Sequence, residues 1–389
     1  MMKLTGVLIL IVLSVFCTGG DNEKLLCGAD QPNLYLPLLQ GKNVALVVNN
    51  TSRTGNLHLV DFLLSKNVNV IKIFAPEHGF RGNASAGAKI VDGIDKETGI
   101  PVVSLYGKIR KPTPDQLKGI DLVVFDIQDV GCRFYTYIST LHLVMESCAE
   151  NNVPLLVLDR PNPNGDYVAG PVLDLQYRSF VGMDKIPVVH GCTVGELARM
   201  INGEGWLKNQ LKCTLSVIPV KNYTHLTVFE PEIRPSPNLP NYSAIRLYPS
   251  LCFFEATSVS VGRGTDFPFQ VLGGTNPKFG TFEFTPKPIP QVADNPLNQG
   301  KVCYGVDLRN LDSVPQFTLE FFINFRNKYK DETQFLTREH WFNLLAGTDK
   351  LLEWIREGKT NVEIESLIEP EITEYKSVRK KYLIYSDFE

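Results

Sequence analysis

Val68-Asn69-Val70-Ile71-Lys72-Ile73-Phe74, continued by Ala75-Pro76-Glu77-His78-Gly79-Phe80-Arg81, is the stretch whose reading decides the fold class of this chain. Its first half is a short apolar run rich in β-branched residues, the signature of a strand buried on both faces of a parallel sheet. Pro76 stops the strand and Gly79 frees the backbone behind it. A carboxylate, an imidazole and a guanidinium are therefore expected together on a loop at the carboxyl end of a strand. That edge is where open α/β sheets hold their ligands.

The same pattern recurs on either side. Asn43-Val44-Ala45-Leu46-Val47-Val48 runs into Asn49, Asn50 and Thr51, and Asp121-Leu122-Val123-Val124-Phe125 runs into Asp126, Gln128, Asp129 and Arg133. Pro154-Leu155-Leu156-Val157-Leu158 delivers Asp159, Arg160 and Asn162. Polar residues also begin wherever loops begin, so one such end decides nothing. Together the strand ends describe a crevice lined from one edge of a sheet. The glycine-punctuated stretch from Pro76 to about Ile100 reads as a long loop that covers substrate.

Strand, helix (about Leu57 to Lys66), strand, loop, strand (Pro101 to Leu105), strand, helix (about Thr136 to Asn151), strand is a β/α alternation, which calls for an α/β fold with a parallel sheet. Thr193-Val194-Gly195-Glu196 has capping-box spacing, which makes Glu196 a cap. Leu215 to Val220 adds a strand, and Ser243 to Gly264 carries strand-like apolar runs that would complete the first domain, residues 24–265. After Thr265 a proline-rich connection leads to helices at about Thr318 to Tyr329, Thr337 to Leu345 and Lys350 to Arg356, then a basic C-terminal piece. Residues 266–389 are read as a smaller α+β domain.

A composition of 43% hydrophobic and 10% aromatic residues supplies ample core for a two-domain globular protein. A net charge of −3, spread along the chain, argues against nucleic acid as a partner. Residues 1–20, with Lys3 ahead of Leu8-Ile9-Leu10-Ile11-Val12-Leu13, have the layout of a secretory signal, so export is expected, to the periplasm or an outer-membrane anchor. Cys17 is a candidate lipid-bearing residue, although Phe16 before it is bulkier than such sites usually carry, and simple cleavage is the alternative. The eight cysteines are scattered without CxxC spacing, so no disulfide framework is expected.

Common chemistries are missing their motifs. Asn49 to Gly55 offers neither GxGxxG nor a P-loop, and no GxSxG elbow is present. The six histidines form no HExxH or cysteine-histidine cluster, so neither a metal nor another cofactor is expected. His190-Gly191-Cys192 is better read as a substrate contact beside a core cysteine than as a thiol and its base. Glu77 near Asp126, Asp129 and Asp159 is what glycosidic hydrolysis asks for: one acid to protonate the leaving oxygen and a second group to attack or activate water. Phe134, Tyr135 and Tyr137 would supply flat apolar surface for a sugar, or belong to the core.

With these residues in hand, the chain resembles a family long catalogued as a domain of unknown function and associated with exo-β-N-acetylmuramidases of bacterial cell-wall recycling. The resemblance rests on Pro76 to Arg81, Asp126 to Tyr137, Asp159-Arg160-Pro161-Asn162-Pro163, His190 to Glu196, Pro235 to Pro240, Tyr248-Pro249-Ser250 and Gly262-Arg263-Gly264-Thr265. It runs from about residue 24 to the C-terminus. It implies a Rossmann-like first domain, a smaller second domain, a cleft at their junction and release of N-acetylmuramic acid from non-reducing ends of peptidoglycan fragments. Glu77 would lead catalysis, with Asp126 or Asp129 as the second group or the substrate's own acetamido group in its place. Substrate contacts are expected from His78, Arg81, Arg133, Tyr135, Asp159, Arg160, Asn162, His190, Asn238, Glu255 and Arg263. Arg133 and Arg263 rank first for the lactyl carboxylate of muramic acid. Two departures stand out: Ala169 occupies a place where an acidic residue is expected, and Met183-Asp184-Lys185 lacks a tyrosine found in some members. If the missing acid is the second catalytic group, the chain would be an impaired, glycan-binding relative.

Overall fold

The computed structural model describes residues 24–77, 79–80 and 92–389. The chain enters its main sheet as β1 (Asn43–Val48), β2 (Asn69–Ala75), β3 (Gly93–Ile94), β4 (Pro101–Ser104), β5 (Leu122–Asp126) and β6 (Leu155–Leu158). It leaves for a two-stranded antiparallel ribbon, β7 (Ala169–Val172) and β8 (Pro187–Val189), and returns as β9 (Leu215–Ile218). The seven-stranded sheet runs β9-β6-β5-β1-β2-β4-β3, with only β3 antiparallel to its neighbour. Counting the parallel strands in chain order, the arrangement is 3-2-1-4-5-6, the doubly wound Rossmann order, with its switch point between β1 and β5.

The apolar runs are continuous because both faces are covered, and alternate side chains feed separate cores. Ala45, Val47, Val123, Phe125, Leu155 and Val157 join one cluster. Their neighbours Val44, Leu46, Val124, Leu156 and Leu158 join the other. Helices α1 (Pro32–Leu39) and α2 (Leu59–Ser65) pack on the second face, while α3 (Pro114–Leu117), α4 (Tyr137–Glu150) and α5 (Val194–Gly203) belong to the first. Thr193 and Glu196 close a reciprocal capping box on α5, through Glu196 N to Thr193 Oγ1 (3.3 Å) and Thr193 N to Glu196 Oε2 (2.9 Å).

The segment Ser243 to Gly264 does not add strands. It opens with α6 (Tyr242–Leu251), capped by Asn241 and continued by a 3-10 turn through Ala256. Ala244, Leu247, Tyr248 and Leu251 are all buried. Their i, i+3, i+4, i+7 spacing is helical, and the apolar density hid it. The smaller second sheet, β10 (Val271–Gly274), β11 (Phe282–Phe284) and β12 (Cys303–Asp307), is antiparallel with β12 in the middle. Around it lie α7 (Glu320–Arg326), α8 (Glu332–Phe335), α9 (Glu339–Ala346), α10 (Lys350–Arg356) and α11 (Asn361–Arg379). The last of these replaces the basic tail expected from sequence. Ile364, Ile368, Ile372 and Tyr375 form its buried stripe, in the same core cluster as α4 and α5. The seven described cysteines are buried and unpaired.

Candidate active site

Glu77 lies two residues beyond the end of β2, after Pro76, and is half-buried at the wall of a cleft of about 1010 Å³. Glu77, Tyr106, Arg110 and Thr136 line that wall, and Glu255 and Arg263 line the cleft with Trp341 of the second domain. Thr136, at the start of α4, donates its hydroxyl to Glu77 Oε2 at 2.9 Å, and the Tyr137 hydroxyl reaches the Glu77 carbonyl at 3.4 Å. Tyr106 hydrogen-bonds Glu77 as well; burial first, then the charge of Glu77, push its phenol well above the usual range. A smaller pocket of about 70 Å³ opens beside Glu77, shared with Tyr135, Ser236, Asn238 and Arg263.

Across the cleft, Arg263 donates from Nη2 to Glu255 Oε1 at 2.6 Å while its guanidinium lies 5.0 Å from the Phe269 ring centroid. Burial works against the Arg263 charge, but Glu255 outweighs it and holds the guanidinium above its ordinary value. Glu77 and Glu255 are thus two carboxylates on one cleft, one held by hydroxyls and the other by a cation.

The remaining strand ends do not open into the cleft. Asp126 is fully buried, with Oδ1 on Arg160 Nε (2.5 Å) and Oδ2 on Arg160 Nη2 (2.9 Å). Burial is the largest single influence on Arg160, but the charge and hydrogen bonds of Asp126, with Cys27 and Asp30 adding to them, together hold the guanidinium above its ordinary value. Asp126 is therefore the anchor of an internal ion pair and not a second catalytic group. At the switch point the Ser52 hydroxyl donates to the Asp126 carbonyl, Gln128 N to Thr51 Oγ1 (3.0 Å) and Thr51 Oγ1 to Asn49 Oδ1 (2.6 Å). Side chains thus stitch together the crevice where a doubly wound fold would take a ligand.

Asp159 accepts from Thr193 Oγ1 (2.7 Å), Gly195 N (2.7 Å), Arg160 N (3.0 Å) and Tyr385 Oη (2.6 Å). Complete burial nonetheless raises it from its ordinary 3.8 to about 6. Asn162 spends its amide on the Cys192 carbonyl (2.8 Å) and the backbone of Asn164 (2.8 Å). Arg133 has no exposed surface, and it donates to the carbonyls of Pro171 (2.8 Å), Ile186 (2.8 Å) and Leu345 (2.9 Å). These bonds tie the two domains together, and although the Arg133 Nε is buried without a partner, the side chain lines neither cavity and reaches no substrate carboxylate there, against the sequence expectation. Asp159, Arg160, Asn162 and Arg133 are scaffold.

Asp129 and His190 are buried together, 3.6 Å apart between Oδ2 and Nε2, and line neither cavity. Asp129 Oδ2 takes the Gly131 N–H at 2.6 Å. Cys192 donates its backbone N–H to His190 Nδ1 (3.2 Å), and burial drives its thiol up to about 12, which removes it as a nucleophile. Tyr135 does present its ring to the small pocket, but its hydroxyl is spent on the Pro235 carbonyl at 2.7 Å. Asn238, buried against the same pocket, donates to the Val292 carbonyl at 2.9 Å. Ala169 opens β7 opposite Val189 and lines neither cavity, so it removes no carboxylate from the cleft wall. His78 and Arg81, like Cys17 and most of the covering loop, lie outside the described residues.

Sequence reasoning passed over Tyr106, Arg110 and Thr136. Tyr106 and Arg110 follow the carboxyl end of β4, so the strand-end rule that selected Glu77 would have selected them too.

Comparison with known proteins agrees with this architecture. The family models for the N-terminal and C-terminal parts of exo-β-N-acetylmuramidase NamZ match residues 44–243 and 246–385. The peptidoglycan β-N-acetylmuramidase NamZ of Bacillus subtilis (strain 168) is 37% identical over 375 residues, which cover 90% of this chain and 89% of that protein. A DUF1343 family protein from Bacteroides fragilis NCTC 9343 superposes with a TM-score of 0.87 at 46% identity, covering 94% of this chain and 99% of that one. A second from the same organism gives 0.79 at 29% identity, over 93% and 99% of the two chains. With both family models matched in tandem over most of its length, the chain belongs to the exo-β-N-acetylmuramidase NamZ family.

Proposed function

We propose that this chain is an exo-acting glycoside hydrolase that releases N-acetylmuramic acid from the non-reducing ends of peptidoglycan fragments. The observation that carries the reading is the pairing of Glu77 and Glu255 on one interdomain cleft, in a chain 37% identical to a peptidoglycan β-N-acetylmuramidase. Glu77 donates a proton to the glycosidic oxygen, positioned by Thr136 and Tyr106 on a rigid strand end. Glu255, ion-paired with Arg263, supplies the negative charge that an oxocarbenium-like transition state requires. The pocket beside Glu77, at about 70 Å³, has room for roughly four or five waters, the size of a sugar substituent such as an acetamido group and too small for another ring. That supports attack at a chain end.

We also infer that residues 1–20 export the protein, with Cys17 as the attachment point for lipid; Lys3 and the Leu8 to Leu13 run support this. Membrane-fraction retention that disappears in Cys17→Ala would bear it out, and retention unchanged by that substitution would refute the anchor.

The function is tested by incubating the purified protein with a disaccharide and a tetrasaccharide that each end in N-acetylmuramic acid, then weighing the products by mass spectrometry. Free N-acetylmuramic acid should appear from both, along with the chain shortened by one sugar. Internal cleavage of the tetrasaccharide, or binding of either glycan without release, would replace this reading.

A further inference from the structure

We propose that Arg110 is the receptor for the carboxylate that the lactyl ether adds to muramic acid, which makes it the residue that selects an acidic sugar over a neutral one. The proposal rests on the muramidase reading above and assigns one part of its substrate. It comes from asking which cation on the cleft still has hydrogen bonds to give. Arg133, sealed on three backbone carbonyls, and Arg160, locked to Asp126, do not reach the cleft, and Arg263, which does, already serves Glu255. Arg110 and Arg338 also line the cleft, and among the described residues neither makes an ion pair.

Position separates the two. Arg110 stands on the same wall as Glu77, which hydrogen-bonds Tyr106; the Tyr106 ring lies 6.3 Å from that of Phe180, and the Arg110 guanidinium sits 4.3 Å over Phe180. The Arg110 charge is felt by the Tyr106 phenol, opposing the upward push of burial and Glu77. Arg338 belongs to the second domain and stacks on Trp341 at 5.1 Å. In muramic acid the lactyl group hangs from C3, two ring atoms from the anomeric carbon whose oxygen Glu77 protonates. Its receptor must therefore lie within a sugar's width of the acid, on a side chain that neighbours it.

Stacking on Phe180 also suits the task. A guanidinium held over a ring spends none of its N–H donors there, and the ring limits the rotamers that would be lost on binding a carboxylate. Lysine in the same place would keep the charge but lose the fork.

The test is calorimetric binding of N-acetylmuramic acid and of its lactyl methylamide, which has the same shape without the charge. The wild-type protein should prefer the acid by roughly ten- to a hundredfold, the range for a charge-assisted contact. Arg110→Ala should lower affinity for the acid to that of the amide and leave the amide unchanged, and Arg110→Lys should restore part of the preference. Equal affinity of the wild type for both ligands, equal losses on both in Arg110→Ala, or a preference that survives there and vanishes in Arg338→Ala would each overturn the assignment. Binding requires no turnover, so a protein that prefers the acid but hydrolyses nothing would refute the function and spare the subsite. Hydrolysis without a preference for the acid would do the reverse.

Discussion

At the end of β2, Glu77 rests one carboxylate oxygen on the Thr136 hydroxyl and stays half-buried at the cleft; at the end of β5, Asp126 is fully buried with both oxygens on Arg160. Asp159, at the end of β6, goes further and accepts four hydrogen bonds from its own chain. All three acids follow apolar strands of one parallel sheet. What separates them is the sheet order: β1 lies between β2 and β5, and the segment after β1 closes the switch point with Ser52, Thr51 and Asn49. The carboxylates on the far side of that closure are spent on partners within the fold, and the one on the near side faces the cleft, where the proposed reaction places it.

The sharpest way to break this contrast is to neutralise the acid on one side and strip the acid on the other of its cation. Glu77→Gln should lower turnover of a muramic-acid-terminated disaccharide by about 10²- to 10⁴-fold, the range for a lost general acid, with an unchanged unfolding midpoint. Turnover within a few-fold of wild type would remove Glu77 from the reaction. Arg160→Leu should do the opposite. It strands the buried Asp126 charge, at a cost of about 3–5 kcal/mol in urea unfolding, while activity per folded molecule stays near wild type. A specific loss of turnover at full stability would return Asp126 to the list of catalytic groups.

Much of this was legible in the sequence. The doubly wound sheet follows from apolar runs of strand length alternating with helical periods, and Glu77 from Pro76 and Gly79 at the end of one of them. Strand ends alone could not tell Glu77 from Asp126, because the difference lies in partners hundreds of residues apart or across a strand order that no local pattern encodes. Asp159 meets Tyr385, and Arg133 meets the Leu345 carbonyl. Glu255 could be named from sequence only as a substrate contact and not paired with its cation, since that cation comes from Arg263 after a turn of the chain. Helix α11 was within reach: Thr360 and Glu363 form a capping box like the one read at Thr193, and Ile364, Ile368 and Ile372 follow at i, i+4 spacing.

A smaller effect distinguishes the interior acids by pH. The Asp159 carboxyl is raised from 3.8 to about 6, so between those values the folded state binds a proton that the unfolded state does not. Stability from this group therefore increases as pH falls from about 6 toward 4 and is lost as pH rises back through that window. The amplitude is on the order of 2–3 kcal/mol for a shift of about two units in a fully buried group. Urea midpoints of the wild type and Asp159→Asn between pH 7 and 4 should show the wild type gaining on the variant as acid is added. A constant difference across that range would mean that Asp159 is already ionised throughout and that its four hydrogen bonds outweigh its burial.

The smallest expected effects form the cleanest comparison, because they remove the same kind of bond from each side. Thr136 donates a hydroxyl to Glu77 at 2.9 Å, and Tyr385 donates one to Asp159 at 2.6 Å. Thr136→Val keeps the side-chain shape and removes that donor, so kcat/KM should fall roughly two- to tenfold, the equivalent of one ordinary hydrogen bond, with no change in unfolding midpoint. Tyr385→Phe should leave kcat/KM alone and lower stability by about 1–2 kcal/mol, since it strips a donor from Asp159 and also the acceptor that its hydroxyl oxygen offers to Val220 N (2.8 Å). If both variants lost stability and neither lost turnover, Thr136 would be scaffold like Tyr385, and the hold on Glu77 would have to come from its other contacts, Tyr106 among them.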